Sequence, residues 1–187
     1  KTKSVNQELE IHKSLNHPFI CKYYTDLETE HLLIISMELI EGVSLIEYVN
    51  KKRGLKTQEA QNIFSQLVIA IEYLHIDKNI AHRDLKLDNI MVDNYDHIRL
   101  IDFGFSSPKI IMTTMCGSLP YCAPEILKSQ NYTKKADIWC LGIILYAIVS
   151  DKLPFIDSNI NKMISNICDQ EPDYSVIFDG NLRHLIS

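Results

Sequence analysis

The sequence predicts an α+β fold with a mainly helical body. Apolar residues recur every three or four positions from Thr57, a candidate N-cap, to Lys78, which is the period of an amphipathic helix. A second segment, Ala136 to Val149, is apolar on nearly every face but too short to cross a bilayer, and it therefore predicts a buried core helix. Between these helices lie the β-rich runs Ile90–Val92 and Ile98–Ile101, which a polar turn separates as in a β-hairpin.

The other elements are predicted from weaker patterns. The Val5–Leu15 segment is moderately periodic and is predicted to be a helix. A buried-type strand is predicted from Leu32, with the apolar run Leu32–Ile35 at its start, and it ends in a polar glycine turn at Glu41–Gly42. The residues from Leu182 onward are predicted to begin a further helix.

Composition limits the classes of function. With 187 residues, of which 46% are hydrophobic, the chain can bury a core in one domain or in a small pair of lobes. The net charge is −5 and the basic residues are scattered, so we expect neither a nucleic-acid partner nor, given the short apolar helix, a membrane.

Cysteine usage indicates a reducing compartment. The five cysteines are widely spaced, form no Cys-x-x-Cys pair and follow no secretory leader. We therefore expect an intracellular protein, most simply a cytoplasmic one, with the nucleus open as an alternative. Cys116 stands close to Thr114 and is a candidate redox-sensitive thiol.

Three short motifs follow one another in the middle of the chain. Residues 82–89 read His-Arg-Asp-Leu-Lys-Leu-Asp-Asn, residues 102–104 read Asp-Phe-Gly, and residues 123–125 read Ala-Pro-Glu. In this order, with a hairpin between the first two, they resemble the eukaryotic protein kinase family. The resemblance implies a bilobal α+β fold, with a partial small lobe and hinge over residues 1–41 and a mainly helical large lobe over residues 42–187.

The resemblance also implies an ATP- and Mg²⁺-dependent protein kinase, and the residue types fit that chemistry. Phosphoryl transfer needs a base that aligns the hydroxyl, a cation near the moving phosphate and oxygen ligands for the metal. Asp84 is the candidate base and Lys86 the candidate cation, while Asn89 and Asp102 offer oxygens of the kind that Mg²⁺ prefers. The hairpin should bring Asn89 beside Asp102. Lys86 further indicates Ser or Thr, rather than Tyr, as the acceptor on a protein substrate.

Nucleotide contacts are expected from residues on either side of the hinge. By resemblance, Glu8 is the helix glutamate that pairs with a nucleotide-anchoring lysine, although a solvated helix glutamate is the alternative, with Glu10 as a second candidate. Met37 would be the gatekeeper, and the backbone of Glu38 and Ile40 would face adenine, with Met91 as the floor of the pocket. Two histidines lie near these residues: His82 is expected to pack in the core, and His12 occupies a position that is usually apolar in the family.

Regulation and substrate recognition are also implied by the resemblance. Thr114 matches an activation-loop phosphorylation site, which an upstream kinase would modify and Arg83 would bind. Ser118 matches the hydroxyl that bridges the catalytic Asp and Lys, and Asp88 suggests a basic residue before the acceptor in the substrate. Asp137 matches the aspartate that fastens the backbone of the catalytic loop.

The subgroup and the extent of the match follow from further residues. The tripeptides Asn16–Pro18, Cys116–Ser118 and Asp137–Trp139 are similar to the AMP-activated and calcium/calmodulin-dependent group. No glycine-rich loop and no suitable nucleotide lysine occur in the sequence. We therefore expect a kinase domain truncated at both ends, whose residues 1–187 are inactive alone.

Two other classes of function stay open. A pseudokinase or scaffold would bind partners without catalysis, as the missing glycine-rich loop and lysine suggest, but Asp84, Asn89 and Asp102 are all present. A small-molecule phosphotransferase is the second alternative. The Ala-Pro-Glu motif and the Thr114–Ser118 segment argue against it, because they resemble a platform for a peptide substrate.

Overall fold

The computed structural model describes residues 3–114, 116–177 and 179–186, with side chains from Asn6 onward, and confirms the α+β class. The α-helices in these ranges are α1 (Lys3–Ser14), α2 (Leu45–Lys52), α3 (Thr57–Glu72), α4 (Pro124–Leu127), α5 (Lys135–Ser150), α6 (Ile160–Asp169) and α7 (Gly180–Ile186). The strands are β1 (Tyr23–Glu28), β2 (Leu33–Met37), β3 (Gly42–Ser44), β4 (Ile90–Asp93) and β5 (Ile98–Leu100).

The strands form two small antiparallel sheets. Strand β1 pairs with β2, and a separate sheet has the order β3-β4-β5. The predicted hairpin is confirmed as β4 and β5, with Ile90 opposite Leu100. Gly42 begins β3 so close to β4 that a Cβ there would lie 2.0 Å from the Val92 carbonyl oxygen, which explains the glycine at this turn.

The prediction of a buried strand at Leu32–Ile35 is wrong in its burial. Strand β2 runs from Leu33 to Met37, but Leu32, Ile34 and Met37 are all exposed. An apolar run indicates burial only when another layer covers the strand. Here β2 pairs with β1 alone among the described residues, and the face that carries Ile34 stays open to solvent.

Helices α3 and α5 pack together and form the centre of the core. The side chains that meet there are almost completely buried: Leu67 of α3, Leu74 just after it, and Ile144 and Leu145 of α5. Burial of each such side chain contributes roughly 2 kcal/mol of transfer free energy. The predicted core helix is therefore confirmed, with Lys135–Ser150 as its observed bounds. Within the described residues, no helix combines the length and hydropathy that a membrane span needs.

The ends of α3 differ from the prediction. Lys56, not Thr57, is the N-cap residue. The backbone N–H of Lys56 donates a hydrogen bond to the Glu59 carboxylate at 3.2 Å. At the other end the α-helix stops at Glu72 and continues as a π-helical turn over Tyr73–Asp77. Such turns are rare and widen the helix locally, which a periodicity of 3.6 does not reveal.

Candidate active site

Asp137, in the first turn of α5, binds the start of the predicted catalytic loop, residues 82–89. Its Oδ2 accepts the backbone N–H of His82 at 2.8 Å, and its Oδ1 accepts that of Arg83 at 2.9 Å. The predicted anchoring role is confirmed. Arg83 has a left-handed backbone, with φ of 73°, and these two bonds help to hold that uncommon conformation.

His75 also binds Asp137, and sequence reasoning missed it. Its Nε2 lies 2.7 Å from Asp137 Oδ2, and both side chains are buried. The π-helical turn carries His75, so the irregular end of the helix and the anchor of the catalytic loop are linked. No sequence pattern around this single histidine indicated the contact.

Asp84 is buried and accepts hydrogen bonds from four groups. Its Oδ2 accepts from Lys86 Nζ at 2.9 Å and from Asn89 Nδ2 at 3.1 Å. Its Oδ1 accepts from the Ser118 backbone N–H at 3.0 Å and from the Ser118 hydroxyl at 3.1 Å. Lys86 Nζ also donates to Ser118 Oγ at 3.0 Å. The structure thus brings together four residues of the predicted site, and one ionised and three neutral donors surround a carboxylate only 5% exposed.

Asn89 and Asp102 become neighbours through the β4–β5 hairpin. The backbone carbonyl of Asn89 accepts a hydrogen bond from the backbone N–H of Ile101, the residue before Asp102, at 2.9 Å. The Asn89 amide NH₂ group is committed to Asp84, which leaves its Oδ1 without a hydrogen bond among the described residues. Asp102 is exposed, has φ of 63°, and accepts the Gly104 N–H on Oδ1 at 3.0 Å. Both side chains can therefore offer oxygen to a hard cation.

Glu8 faces the same segment from helix α1. A Cβ built on Gly104 would lie 3.2 Å from Asp102 Oδ1 and 3.4 Å from Glu8 Oε2, so both carboxylates border this glycine. Partial burial raises the pKa of Glu8, and the negative charge of Asp102 raises it further. Among the side chains that the structure describes, no lysine or arginine pairs with either acid. The place between them favours a positive charge.

A column of three rings connects α1 to the catalytic loop. The His12 ring lies 5.1 Å from the Phe103 ring, which lies 5.3 Å from the His82 ring. His82 is fully buried, as predicted, and burial lowers the pKa of its imidazole. His12 Nε2 lies 2.7 Å from the Cys21 carbonyl oxygen, so this polar side chain satisfies its hydrogen bonding inside the column.

The predicted adenine-facing residues lie at the two sheets. Met37 ends β2, and Met91 pairs with Ser44 across β3 and β4. The Glu38 backbone N–H donates to the Lys22 carbonyl at 2.8 Å, and the Glu38 side chain accepts from Arg99 Nε at 2.9 Å and from the Lys22 N–H at 3.0 Å. The Ile40 backbone N–H and carbonyl make no hydrogen bond within the described part of the chain, which leaves them available to a ligand.

The two predicted regulatory residues also lie together. Arg83 Nη2 donates to the Thr114 carbonyl at 3.1 Å, and the Tyr132 hydroxyl donates to the same oxygen at 2.7 Å. Arg83 Nε donates to that hydroxyl at 2.9 Å, which makes Tyr132 a third member of the cluster that the sequence did not indicate. Asp88 is exposed on the short helical turn Leu87–Asn89, beside the predicted catalytic residues.

Comparison with known proteins shows which family the chain is similar to. The protein kinase domain family matches residues 1–184. The chain is 37% identical over 169 residues to a probable serine/threonine-protein kinase of Dictyostelium discoideum, covering 88% of this chain and 20% of that protein. It is 36% identical over 166 residues to an SNF1-related protein kinase catalytic subunit alpha of Arabidopsis thaliana, covering 87% and 33%. It is also 37% identical over 171 residues to a probable serine/threonine-protein kinase, a KIN1 homolog, of Encephalitozoon cuniculi, covering 89% and 30%.

The chain thus spans between a fifth and a third of the length of these curated relatives. The SNF1-related match supports the predicted likeness to the AMP-activated group. Because the family match extends over nearly the whole sequence and includes the anchored catalytic loop, the chain belongs to the protein kinase domain family.

Proposed function

We propose that this chain is the core of a protein serine/threonine kinase, which transfers the γ-phosphate of ATP to hydroxyl groups of protein substrates. The observation that carries the proposal is the hydrogen-bonded group of Asp84, Lys86 and Ser118 beside the two oxygen donors Asn89 and Asp102. A base, a cation and adjacent metal ligands are the parts that phosphoryl transfer requires.

Asp84 would orient the acceptor hydroxyl and take its proton. A carboxylate has about four lone-pair sites, and all of them are engaged here, so one donor must leave before a hydroxyl can bind. Lys86 is the donor suited to leave, because its flexible ammonium group is partly exposed and can move to a phosphate oxygen. Its departure would open Oδ2, while Ser118 and Asn89 keep the carboxylate in place.

Asn89 Oδ1 and the Asp102 carboxylate would hold Mg²⁺. These oxygens fit a hard divalent cation, and the Glu8 carboxylate, which borders Gly104 together with Asp102, adds a second acid to the same place. Bound Mg²⁺ would neutralise charge on the phosphates of ATP. The free backbone groups of Ile40 would contact the adenine ring, next to Met37 and Met91.

The substrate class follows from the residues around the base. Lys86 favours a Ser or Thr acceptor, and the exposed Asp88 carboxylate favours a basic side chain ahead of it. Phosphorylation of Thr114 by an upstream kinase would place a phosphate near the Arg83 guanidinium, which already touches the Thr114 carbonyl.

The proposal is tested by Asp84→Asn in the full-length gene product, with Asp157→Asn as the matched control. Asp157 lies in the connection between α5 and α6 and pairs with Lys162 of α6, and it makes none of the bonds described at the site. We expect Asp84→Asn to lower the rate of Mg²⁺-ATP-dependent peptide phosphorylation by about 10²- to 10⁴-fold, and Asp157→Asn to leave it unchanged. Full activity of Asp84→Asn would refute the role of this base. A wild-type protein that binds nucleotide or partners but transfers no phosphate would favour the scaffold alternative.

A further inference from the structure

Two cysteines bracket the segment that supports the catalytic base. Cys116 and Cys122 lie on either side of Ser118, whose N–H and hydroxyl both bind Asp84. The Cys122 Sγ lies 3.7 Å from the Cys116 carbonyl oxygen, and a Cβ built on Gly117 would lie 3.8 Å from the same sulfur. The Cys122 thiol therefore already packs against the peptide that Cys116 and Gly117 share.

The surroundings of Cys116 differ from those of the other thiols nearby. Cys116 is partly exposed, and its Sγ lies 3.6 Å from the Tyr132 hydroxyl, which in turn binds Arg83 Nε. The sulfur is thus linked to the guanidinium through one hydroxyl, and its partial exposure lets a peroxide reach it. Cys140, the third thiol in this region, is buried and donates to the Tyr121 carbonyl at 3.1 Å.

We propose that Cys116 and Cys122 form a reversible disulfide when a peroxide oxidises Cys116, and that this bond switches the catalytic base off. The loss of activity rests on the proposed kinase function, whereas the disulfide itself does not.

The chemistry takes place in two balanced steps. Cys116 gives up its thiol proton and the thiolate attacks one oxygen of hydrogen peroxide; the O–O bond breaks, the leaving hydroxide takes up that proton as one water, and a sulfenic acid stays on Cys116. The Cys122 sulfur then attacks the sulfenic sulfur, the S–O bond breaks, and the Cys122 proton leaves with the hydroxyl as a second water. Burial, with the nearby Cys116 and Asp84, raises the pKa of Cys122 to about 11, so Cys122 stays protonated and the peroxide reacts first with Cys116.

Closing this bond would move the support of Asp84. The Cys116 sulfur now faces Tyr132, so its side chain must turn toward Cys122, and the chain can pivot at Gly117, which has φ of 94°. Ser118 follows directly after this pivot. A shift of Ser118 would withdraw the N–H and the hydroxyl that fix Asp84 Oδ1, and would also release Lys86.

The test is a mass measurement on the full-length gene product, treated with hydrogen peroxide, blocked at free thiols and digested with trypsin without a reductant. Trypsin should release residues 110–128 as one peptide, because Lys109 and Lys128 flank it, and Cys116 and Cys122 are its only cysteines. We expect the peptide to lose the mass of two hydrogen atoms, to carry no blocking group, and to return to the reduced mass with dithiothreitol. A peptide with Cys116 oxidised to sulfinic acid and Cys122 blocked, or one with both thiols blocked, would overturn the proposal.

Activity measured in parallel separates the switch from the kinase function. We expect peroxide to lower the phosphorylation rate on the order of tenfold, reversibly, in wild type and in the control Cys168→Ser. Cys122→Ala should lose the dithiothreitol-reversible part of this response. Cys122→Ser serves the same purpose if the smaller side chain unfolds the protein. A disulfide that forms without changing the rate would refute the switch alone, and an inactive reduced protein would refute the kinase function while the disulfide stands.

Discussion

Asp84 and Asp102 lie on opposite sides of one site and are held in different ways. Asp84 is buried and accepts hydrogen bonds from four groups, and the loop that carries it is fastened to α5 by buried bonds to Asp137. Asp102 is exposed, and among the described residues it accepts a hydrogen bond from the Gly104 N–H alone. Glu8, its neighbour across Gly104, pairs with no lysine or arginine among the described side chains, and partial burial and the charge of Asp102 raise its pKa.

The difference separates preorganisation from ligand binding. The Asp84 side is complete in the protein alone, because every donor comes from the chain. The Asp102 side gathers negative charge that a positively charged ligand would neutralise, so its stability should depend on that ligand. Substitutions on the first side should therefore cost folding free energy, and substitutions on the second should cost ligand affinity.

The largest effect is expected for Asp137→Ala. Loss of this carboxylate leaves the His75 ring nitrogen and the backbone N–H groups of His82 and Arg83 without an acceptor in the core. We expect the free energy of unfolding to fall by about 3 to 5 kcal/mol, measured by urea denaturation. Asp88→Asn, a change at an exposed acid, is the control and should alter stability by less than about 0.5 kcal/mol. Equal stability of the two variants would show that the anchor is dispensable.

A pair of substitutions at the two candidate metal ligands compares the two sides directly. Asn89→Ala removes a buried amide that donates to Asp84 and should lower the free energy of unfolding by about 1 to 3 kcal/mol. Asp102→Asn keeps a side chain that tolerates φ of 63°, and removes the charge that raises the pKa of Glu8, so stability should stay equal or rise slightly. Titration calorimetry should show weaker Mg²⁺-ATP binding in both variants. A stability loss in Asp102→Asn as large as that in Asn89→Ala would contradict the comparison.

Phosphorylation of Thr114 should add further hydrogen bonds to the Asp84 side of the site, through Arg83. In the full-length gene product, treated with an activating kinase, we expect Thr114→Ala and Arg83→Ala each to lower activity about tenfold, and the double variant to be little worse. Thr113→Ala, at an equally exposed neighbour, is the control and should match wild type. Equal activity of Thr114→Ala and wild type, when the wild-type loop is demonstrably phosphorylated, would refute the switch.

Sequence patterns predicted those parts of the molecule in which burial follows a local period. Helices α3 and α5 and the β4–β5 hairpin are of this kind, and so is the Asp137 anchor, which the motif spacing placed. The His75 contact could not be predicted, because it joins residues 62 positions apart and a single histidine carries no pattern. The exposure of Ile34 was missed because an apolar run does not report whether another layer covers it. Tyr132 escaped notice for the same reason as His75, since its role depends on the folded position of Thr114.

The smallest effect concerns the contact between the connection after α1 and the π-helical turn that follows α3. His17, in the connection after α1, stacks on Tyr73 with ring centres 4.8 Å apart, and its Nδ1 accepts the backbone N–H of Phe19 at 3.2 Å. Protonation of Nδ1 would break that hydrogen bond, and burial lowers the pKa of His17 below its ordinary value of 6.5, with Asp77 opposing the shift. The folded state therefore favours neutral His17, so its contribution to stability is present above about pH 6.5 and is lost as the pH falls through the lowered pKa.

We expect His17→Asn to reduce the loss of unfolding free energy between about pH 7.5 and pH 5.5 by less than about 1 kcal/mol, because the ring is only partly buried. His31→Asn, at an exposed turn between β1 and β2, should leave the pH dependence of wild type unchanged. The comparison uses the slope with pH rather than stability at one pH, because the substitution also removes the stacking on Tyr73. If the unfolding free energy changed with pH equally in all three proteins, the His17 contact would be insensitive to protonation. The fully buried His82 on the Asp84 side, whose pKa burial also lowers, would then be the histidine to substitute next.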